Sequence, residues 1–216
     1  DFTFKGSCES FVQGKGRTVA FSSYLEKRHK VRKGHHLAHY LSSHDEPMSL
    51  YNLGGDREAF RLCVALQMTS LGIPTIYYGE EVAREGSTWP LNRSNMPWGS
   101  RNVQPGKGEK RDEELREYYR KLIAARRANL ALSRGEYQRL SSDGDLLVFA
   151  RVDAESGNAA VVAVNRGRSE ASVTVDAPAA WTGGVGEVVT GAAAPVAGGK
   201  LSVVVPARQA RVYVPK

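Results

Sequence analysis

Cysteine is scarce. The 216-residue chain holds two, Cys8 and Cys63, too few for a disulfide framework. Neither belongs to a CxxC or Cys/His spacing, so zinc and redox chemistry have no support. Cys63, inside the apolar run Leu62-Cys63-Val64-Ala65-Leu66, is expected to pack as a small hydrophobe. Long hydrophobic stretches are missing as well. None approaches the roughly 20 apolar residues of a membrane span, and no signal-peptide pattern opens the sequence. No membrane partner is expected, and the compartment is left open between cytoplasmic and secreted. Glycine-rich phosphate loops are also absent, because Leu53-Gly54-Gly55-Asp56 has neither GxGxxG nor GxxxxGK spacing.

Basic residues are in excess, with a net charge of +7. Part of that charge is concentrated in Lys27-Arg28-His29-Lys30-Val31-Arg32-Lys33. The run has no interleaved aromatics and no nucleic-acid motif beside it, so it reads as a solvated helix end or loop. No nucleic-acid partner is expected.

The N-terminal two-thirds alternates helical and short apolar segments. Residues 11–30 could be helical, although Gly14 and Gly16 weaken a continuous helix. Residues 37–41 make a short strand candidate that ends at Ser42-Ser43-His44-Asp45. Asp56 is a plausible N-cap for a helix reaching about residue 71, apolar almost all round and so buried on several faces. Gly72 then stands where a helix C-terminal glycine belongs. Residues 73–78 read as the next strand, with Pro74 tolerable near its start. A loop from about 80 to 111 follows, whose Trp89, Met96 and Trp98 argue for order. Leu115, Tyr118, Tyr119, Leu122 and Ile123 then mark one face of an amphipathic helix ending near Arg134.

From about residue 140 the character changes. Short β-branched runs at 146–152, 159–164, 172–175, 187–190, 201–205 and 210–214 are separated by turn signals. They predict a small antiparallel sandwich, with a domain boundary between 139 and 140. Parallel strands alternating with helices before it fit a (β/α) barrel or an open doubly wound sheet.

Four blocks, in this order and spacing, carry a resemblance. Ser43-His44-Asp45, Leu53-Gly54-Gly55-Asp56, Gly72-Ile73-Pro74-Thr75-Ile76-Tyr77-Tyr78-Gly79-Glu80 and Asn92-Arg93-Ser94-Asn95-Met96-Pro97-Trp98 resemble the alpha-amylase family of glycoside hydrolases. The flavour is that of its neopullulanase and maltogenic-amylase branch. The resemblance implies an α/β plus all-β fold: residues 1–139 as about the last three units of a (β/α)8 TIM barrel, and residues 140–216 as a Greek-key β-sandwich domain. It implies that Asp1-Phe2-Thr3-Phe4 ends a sixth barrel strand. Asp45 would be the third catalytic carboxylate, which stabilises an oxocarbenium-like transition state. His44 would hydrogen-bond the same sugar. Arg93 would lie near the substrate cleft, either touching sugar or pairing with Glu80 or Glu81. Trp89 and Trp98 would pack or stack on sugar rings, and Tyr77 and Tyr78 would be core residues with satisfied hydroxyls. Met48 stands where the family often has arginine.

The implied partner is an α-glucan or maltooligosaccharide, bound for hydrolysis or for transglycosylation through the same intermediate. A non-catalytic carbohydrate-binding fragment is the alternative. Calcium is common in relatives, but its ligands fall largely outside this region, so no metal or cofactor is expected. The family's nucleophile and acid/base, about 5–5.5 Å apart in retaining enzymes, have no counterpart, since Glu9, Glu26, Glu80 and Glu81 match neither by context. A complete barrel takes about 250 residues. The chain is therefore expected to be one piece of a longer polypeptide, partnered by a missing N-terminal barrel segment.

Overall fold

A computed structural model describes residues 1–28, 31, 32, 34–98, 111–181 and 183–215. The first two helices are α1 (Thr3–Val12) and α2 (Thr18–Lys27). Gly14 and Gly16, at φ +76° and +77°, turn the chain between them where a continuous helix was expected. Helix α1 begins at Thr3, so residues 1–4 do not end a strand. Its Phe4, Cys8, Phe11 and Val12 recur at three- and four-residue spacing and enter the main core.

Strand β1 (Ala38–Tyr40) pairs in parallel with β2 (Ile73–Thr75), in the register Ala38 to Ile73 and Tyr40 to Thr75. The crossover runs through a short helix, α3 (Ser49–Asn52), and through α4 (Arg57–Thr69). Asp56 caps α4 as expected, its Oδ1 accepting the Ala59 amide at 3.0 Å. Every residue from Leu62 to Thr69 is buried, in keeping with the all-round apolar pattern. Both cysteines are free and buried.

Gly72 does not cap α4, which ends three residues earlier. At φ +117°, a Cβ there would lie 2.3 Å from the Leu37 carbonyl and 2.9 Å from His39 Nδ1. Glycine permits the close approach through which the Ile73 amide reaches Leu37 O at 2.8 Å. We expect Gly72→Ala to lower stability by about 3 kcal/mol or more, read from the urea midpoint. An unchanged midpoint would refute that account.

Helix α5 (Glu113–Ala128) is capped by Asp112, whose Oδ1 accepts the Leu115 amide at 2.9 Å. It stops at Asn129, and a separate short helix, α6 (Leu130–Arg134), follows. The β-rich segment opens earlier than its apolar runs suggest, with β3 (Glu136–Asp143), so the expected 139/140 boundary falls inside a strand. Then come β4 (Leu146–Val152), β5 (Ala159–Asn165), β6 (Ala171–Asp176), β7 (Val185–Glu187), β8 (Ala193–Ala194), β9 (Val196–Ala197), β10 (Lys200–Val205) and β11 (Gln209–Pro215). One antiparallel sheet has the order β3-β4-β5-β11-β7-β8 and the other β6-β10-β9. The run expected at 187–190 is strand only to Glu187. Beyond it the Glu187 carboxylate accepts the Val189 and Thr190 amides at 3.1 and 2.7 Å, closing a turn.

The larger sheet is covered on both faces. Leu147, Phe149, Val162, Val164 and Val212 join the helical core, while Val148, Val161, Ala163 and their neighbours pack against Leu201, Val203 and Val205 of the smaller sheet. That double burial is why β4 and β5 read as continuous apolar runs rather than alternating ones. Among the described residues no helix is long and apolar enough to cross a membrane. Of the basic run, His29, Lys30 and Lys33 lie outside the described residues. Arg28 is buried, donating to the Leu71 carbonyl at 3.3 Å with its guanidinium 4.8 Å from the Phe4 ring centre.

Candidate functional site

Beyond the C-terminal end of β1, a tightly fastened segment carries the candidate residues. The Ser42 hydroxyl accepts the Ser49 amide at 3.3 Å, and Ser49 Oγ lies 2.5 Å from Leu41 O and 2.6 Å from Glu9 Oε1. Lys5, itself buried, donates to the Glu46 carboxylate at 3.1 Å. Between these anchors His44 and Asp45 point outward, their side chains 59% and 64% exposed. His44 Nε2 lies 3.1 Å from Asp45 Oδ1, and Arg93 Nη2 lies 3.5 Å from the same oxygen. Asp45 caps no helix, since α3 begins at Ser49 after Met48.

All three expected residues are thus brought together, although Arg93 lies in a different loop. Its Nε donates to the His44 carbonyl at 3.1 Å. Asn92 reinforces that contact, donating to His44 O at 2.9 Å and Glu46 O at 3.2 Å. The Met48 amide donates to Gly86 O at 2.9 Å, tying the two loops at a further point. Asn92 had no assigned role in the sequence beyond opening the block that also holds Arg93.

Arg93 pairs with neither Glu80 nor Glu81. Glu80 is fully buried in a 3-10 turn, Glu80–Val82, and Tyr119 donates to its Oε1 at 3.3 Å. Burial pushes its carboxyl up to about 8, against the opposing pull of Ser42 and Tyr119 and with a further rise from Glu81. Enclosed in this way, the carboxyl has almost no surface to offer a sugar.

Strand β2 ends at Thr75 rather than 78, and Tyr77 and Tyr78 lie past its end. Their hydroxyls donate to Asn92 O at 3.2 Å and Ser94 O at 2.8 Å, but Tyr78 is partly exposed rather than core. The tryptophans are not packed inside the loop either: Trp89 is 72% and Trp98 53% exposed. The Trp89 ring, at that exposure, offers a face of the kind that stacks on an apolar sugar surface. No cluster of three or more His, Cys, Asp or Glu that could hold a metal ion exists among the described residues. The arrangement offers a fixed surface carboxylate flanked by an imidazole and a guanidinium, suited to gripping vicinal hydroxyls.

The fold is found in structures already solved. It is similar to an Anoxybacillus alpha-amylase, with a TM-score of 0.81 and 22% identity, covering 100% of this chain and 47% of that one. A Nostoc punctiforme debranching enzyme gives 0.79 and 22%, covering 99% of this chain and 47% of that one. The chain belongs to the alpha-amylase family: residues 8–120 match the model described as "Alpha amylase, catalytic domain". Among curated relatives, a cyclomaltodextrinase of Geobacillus thermopakistaniensis is 36% identical over 146 residues, which is 65% of this chain and 23% of that protein. Neopullulanase 2 of Thermoactinomyces vulgaris is 36% identical over 132 residues, 60% of this chain and 21% of that protein. The chain therefore spans less than a quarter of these relatives and about half of the solved structures.

Proposed function

We propose that the chain supplies the substrate-gripping part of a retaining glycoside hydrolase acting on the α-glucosidic bonds of starch- or maltodextrin-like glucans. The segment before β3 would be the last units of a (β/α)8 barrel, and the β-rich segment from Glu136 onward a Greek-key domain. A further segment of polypeptide would bring the nucleophile and the acid/base. The observation that carries this reading is the convergence of His44, Asp45 and Arg93 on one exposed carboxylate oxygen past the C-terminal end of a parallel strand. Asp45 would hydrogen-bond ring hydroxyls and act as a fixed anion beside developing oxocarbenium charge. His44 would donate to the same sugar, and Arg93 would orient the carboxylate.

Titration calorimetry of the chain with a maltooligosaccharide tests the reading. Asp45→Asn is expected to weaken binding about tenfold or more, the loss of one charge-assisted hydrogen bond. Unchanged affinity would overturn the assignment. The chain alone is expected to leave maltodextrin uncleaved, because one carboxylate cannot supply nucleophile and acid together. Hydrolysis and transglycosylation share the covalent intermediate, so longer glucans among the products of the completed enzyme would identify transfer.

A further inference from the structure

A second loop feature bears on the same carboxylate. After Gly79 (φ +85°) and the turn at Glu80–Val82, Ala83 adopts φ +63°, a left-handed conformation unusual for a residue with a side chain. That backbone doubles the chain back, so that the Arg84 amide meets Gly79 O at 2.8 Å. The Arg84 side chain then lies flat on Gly79, where a Cβ would sit 2.7 Å from Nε. Its guanidinium centre stands 4.1 Å from the Tyr78 ring centre and 5.2 Å from that of Tyr77. The residue is 1% exposed, yet no carboxylate pairs with it among the described residues. A buried unpaired cation is unfavourable unless its donors are well used.

Nε and Nη1 are used on one short stretch, while Nη2 has no hydrogen-bond partner among the described residues. Nε donates to Tyr78 O at 3.1 Å, and Nη1 reaches Asn92 O, Ser94 O and Ser94 Oγ at 3.3, 3.2 and 3.1 Å. The hydroxyls of Tyr77 and Tyr78 converge on the same two carbonyls. The carbonyls of Asn92 and Ser94 are thus gripped from one side, while the Asn92 and Arg93 side chains reach the other way to His44 O, Glu46 O and the Asp45 carboxylate. Gly86 keeps the loop closed, since a Cβ there would meet Leu91 O at 2.5 Å and Asn92 Cα at 2.7 Å.

We propose that Arg84 is a positioning residue for Asp45. Stacked on Tyr77 and Tyr78, it fixes the Asn92–Ser94 backbone from behind, so that Asn92 and Arg93 hold the carboxylate in place. Its meaning for catalysis rests on the role of Asp45 proposed above, whereas the mechanical coupling does not. The outlier at Ala83 and the buried cation are then strain kept for a fixed site geometry. Lysine is not equivalent, because a single ammonium cannot serve Tyr78 O and the Asn92–Ser94 carbonyls in one plane.

The test uses the full chain with Arg84→Gln and Arg84→Lys, reading the Arg93 Nε–H signal by nitrogen-resolved NMR alongside the urea midpoint. In both variants exchange protection of that N–H should fall about tenfold or more, as its bond to His44 O opens. Millimolar guanidinium should restore protection in Arg84→Gln and leave Arg84→Lys unimproved. A purely structural role would move the midpoint and leave Arg93 protection intact, which overturns the proposal. Should Arg84→Gln fail to fold, intact Arg93 protection in Arg84→Lys overturns it equally. Unchanged maltooligosaccharide affinity in Asp45→Asn, with Arg93 protection still dependent on Arg84, would sink the function of Asp45 and leave the coupling standing.

Discussion

Glu80→Gln is expected to stabilise the fold at mildly alkaline pH by up to about 5 kcal/mol and to have little effect near pH 4.5. Glu80 is enclosed, and its Oε2 has no hydrogen-bond partner among the described residues. Burial, more than the neighbouring Glu81, lifts its folded-state value from 4.5 to about 8. The sign follows from proton counting. Between these two values the unfolded chain has released the proton while the folded chain retains it, so stability falls as pH rises. The contribution is complete below about pH 4.5, is lost progressively toward pH 8, and levels off above it, where both states are ionised. Glutamine has the same shape and no ionisation, and Gln67, with an unsatisfied buried Oε1, is near enough to hydrogen-bond the side chain at position 80. Urea unfolding at pH 5 and pH 8 checks the outcome. Parallel pH profiles for the native and variant chains would show that Glu80 is already ionised in the fold.

How far such features were legible in the sequence depended on whether the signal was local. Helix α4 announced itself because a cap, Asp56, precedes an apolar run whose burial does not depend on which face is turned inward. The break at Gly14 and Gly16 was legible as weakness but not as a turn. Strand β3 was not legible: Glu136-Tyr137-Gln138-Arg139 is polar and mostly exposed, and it becomes a strand by pairing with β4. Gly72 was misread because its reason is a carbonyl 35 residues away, at Leu37, rather than the helix behind it. At the site, His44 and Asp45 could be picked out as neighbours. Their meeting with Arg93 is non-local, and only the resemblance linked the two blocks. Arg84 gave no signal at all, since its acceptors are mainly backbone carbonyls, which every residue possesses. For Trp89, of the two expectations, packing or stacking, exposure leaves stacking: side-chain type suggests burial, but a loop fixed by its backbone can hold a ring at the surface.

Arg151→Met should cost about 3–5 kcal/mol, although the substitution keeps length and removes a charge that no carboxylate balances among the described residues. Arg151 lies in β4 with no exposed surface. Its Nε and Nη2 donate to Gly135 O at 2.9 and 2.6 Å, and its Nη1 donates to Thr69 O and, at 3.4 Å, to Leu132 O. Arg126 works beside it, donating to Met68 O, Ser70 O, Leu132 O and Gly72 O at 2.8, 3.0, 2.6 and 2.6 Å. The last turn of a helix leaves carbonyls without partners, at the end where the macrodipole favours cations. Two guanidiniums from outside α4 serve that end, which explains how it can be buried without a cap. Burial lowers the pKa of both, Arg126 to about 10 and Arg151 to about 9, the latter also through Arg126, so both remain charged at neutral pH. Methionine would leave Gly135 O and Thr69 O without these donors in the core, at about 1–3 kcal/mol each, whereas Leu132 O keeps Arg126. Lysine should fall between, because a point charge reaches fewer of the three carbonyls. A urea midpoint for Arg151→Met within about 1 kcal/mol of the native chain would refute the account. The consequence reaches the site: the carbonyls from Met68 to Gly72 lead directly into β2, so the β-rich segment, through Arg151, helps hold the strand from which the Arg84 loop departs.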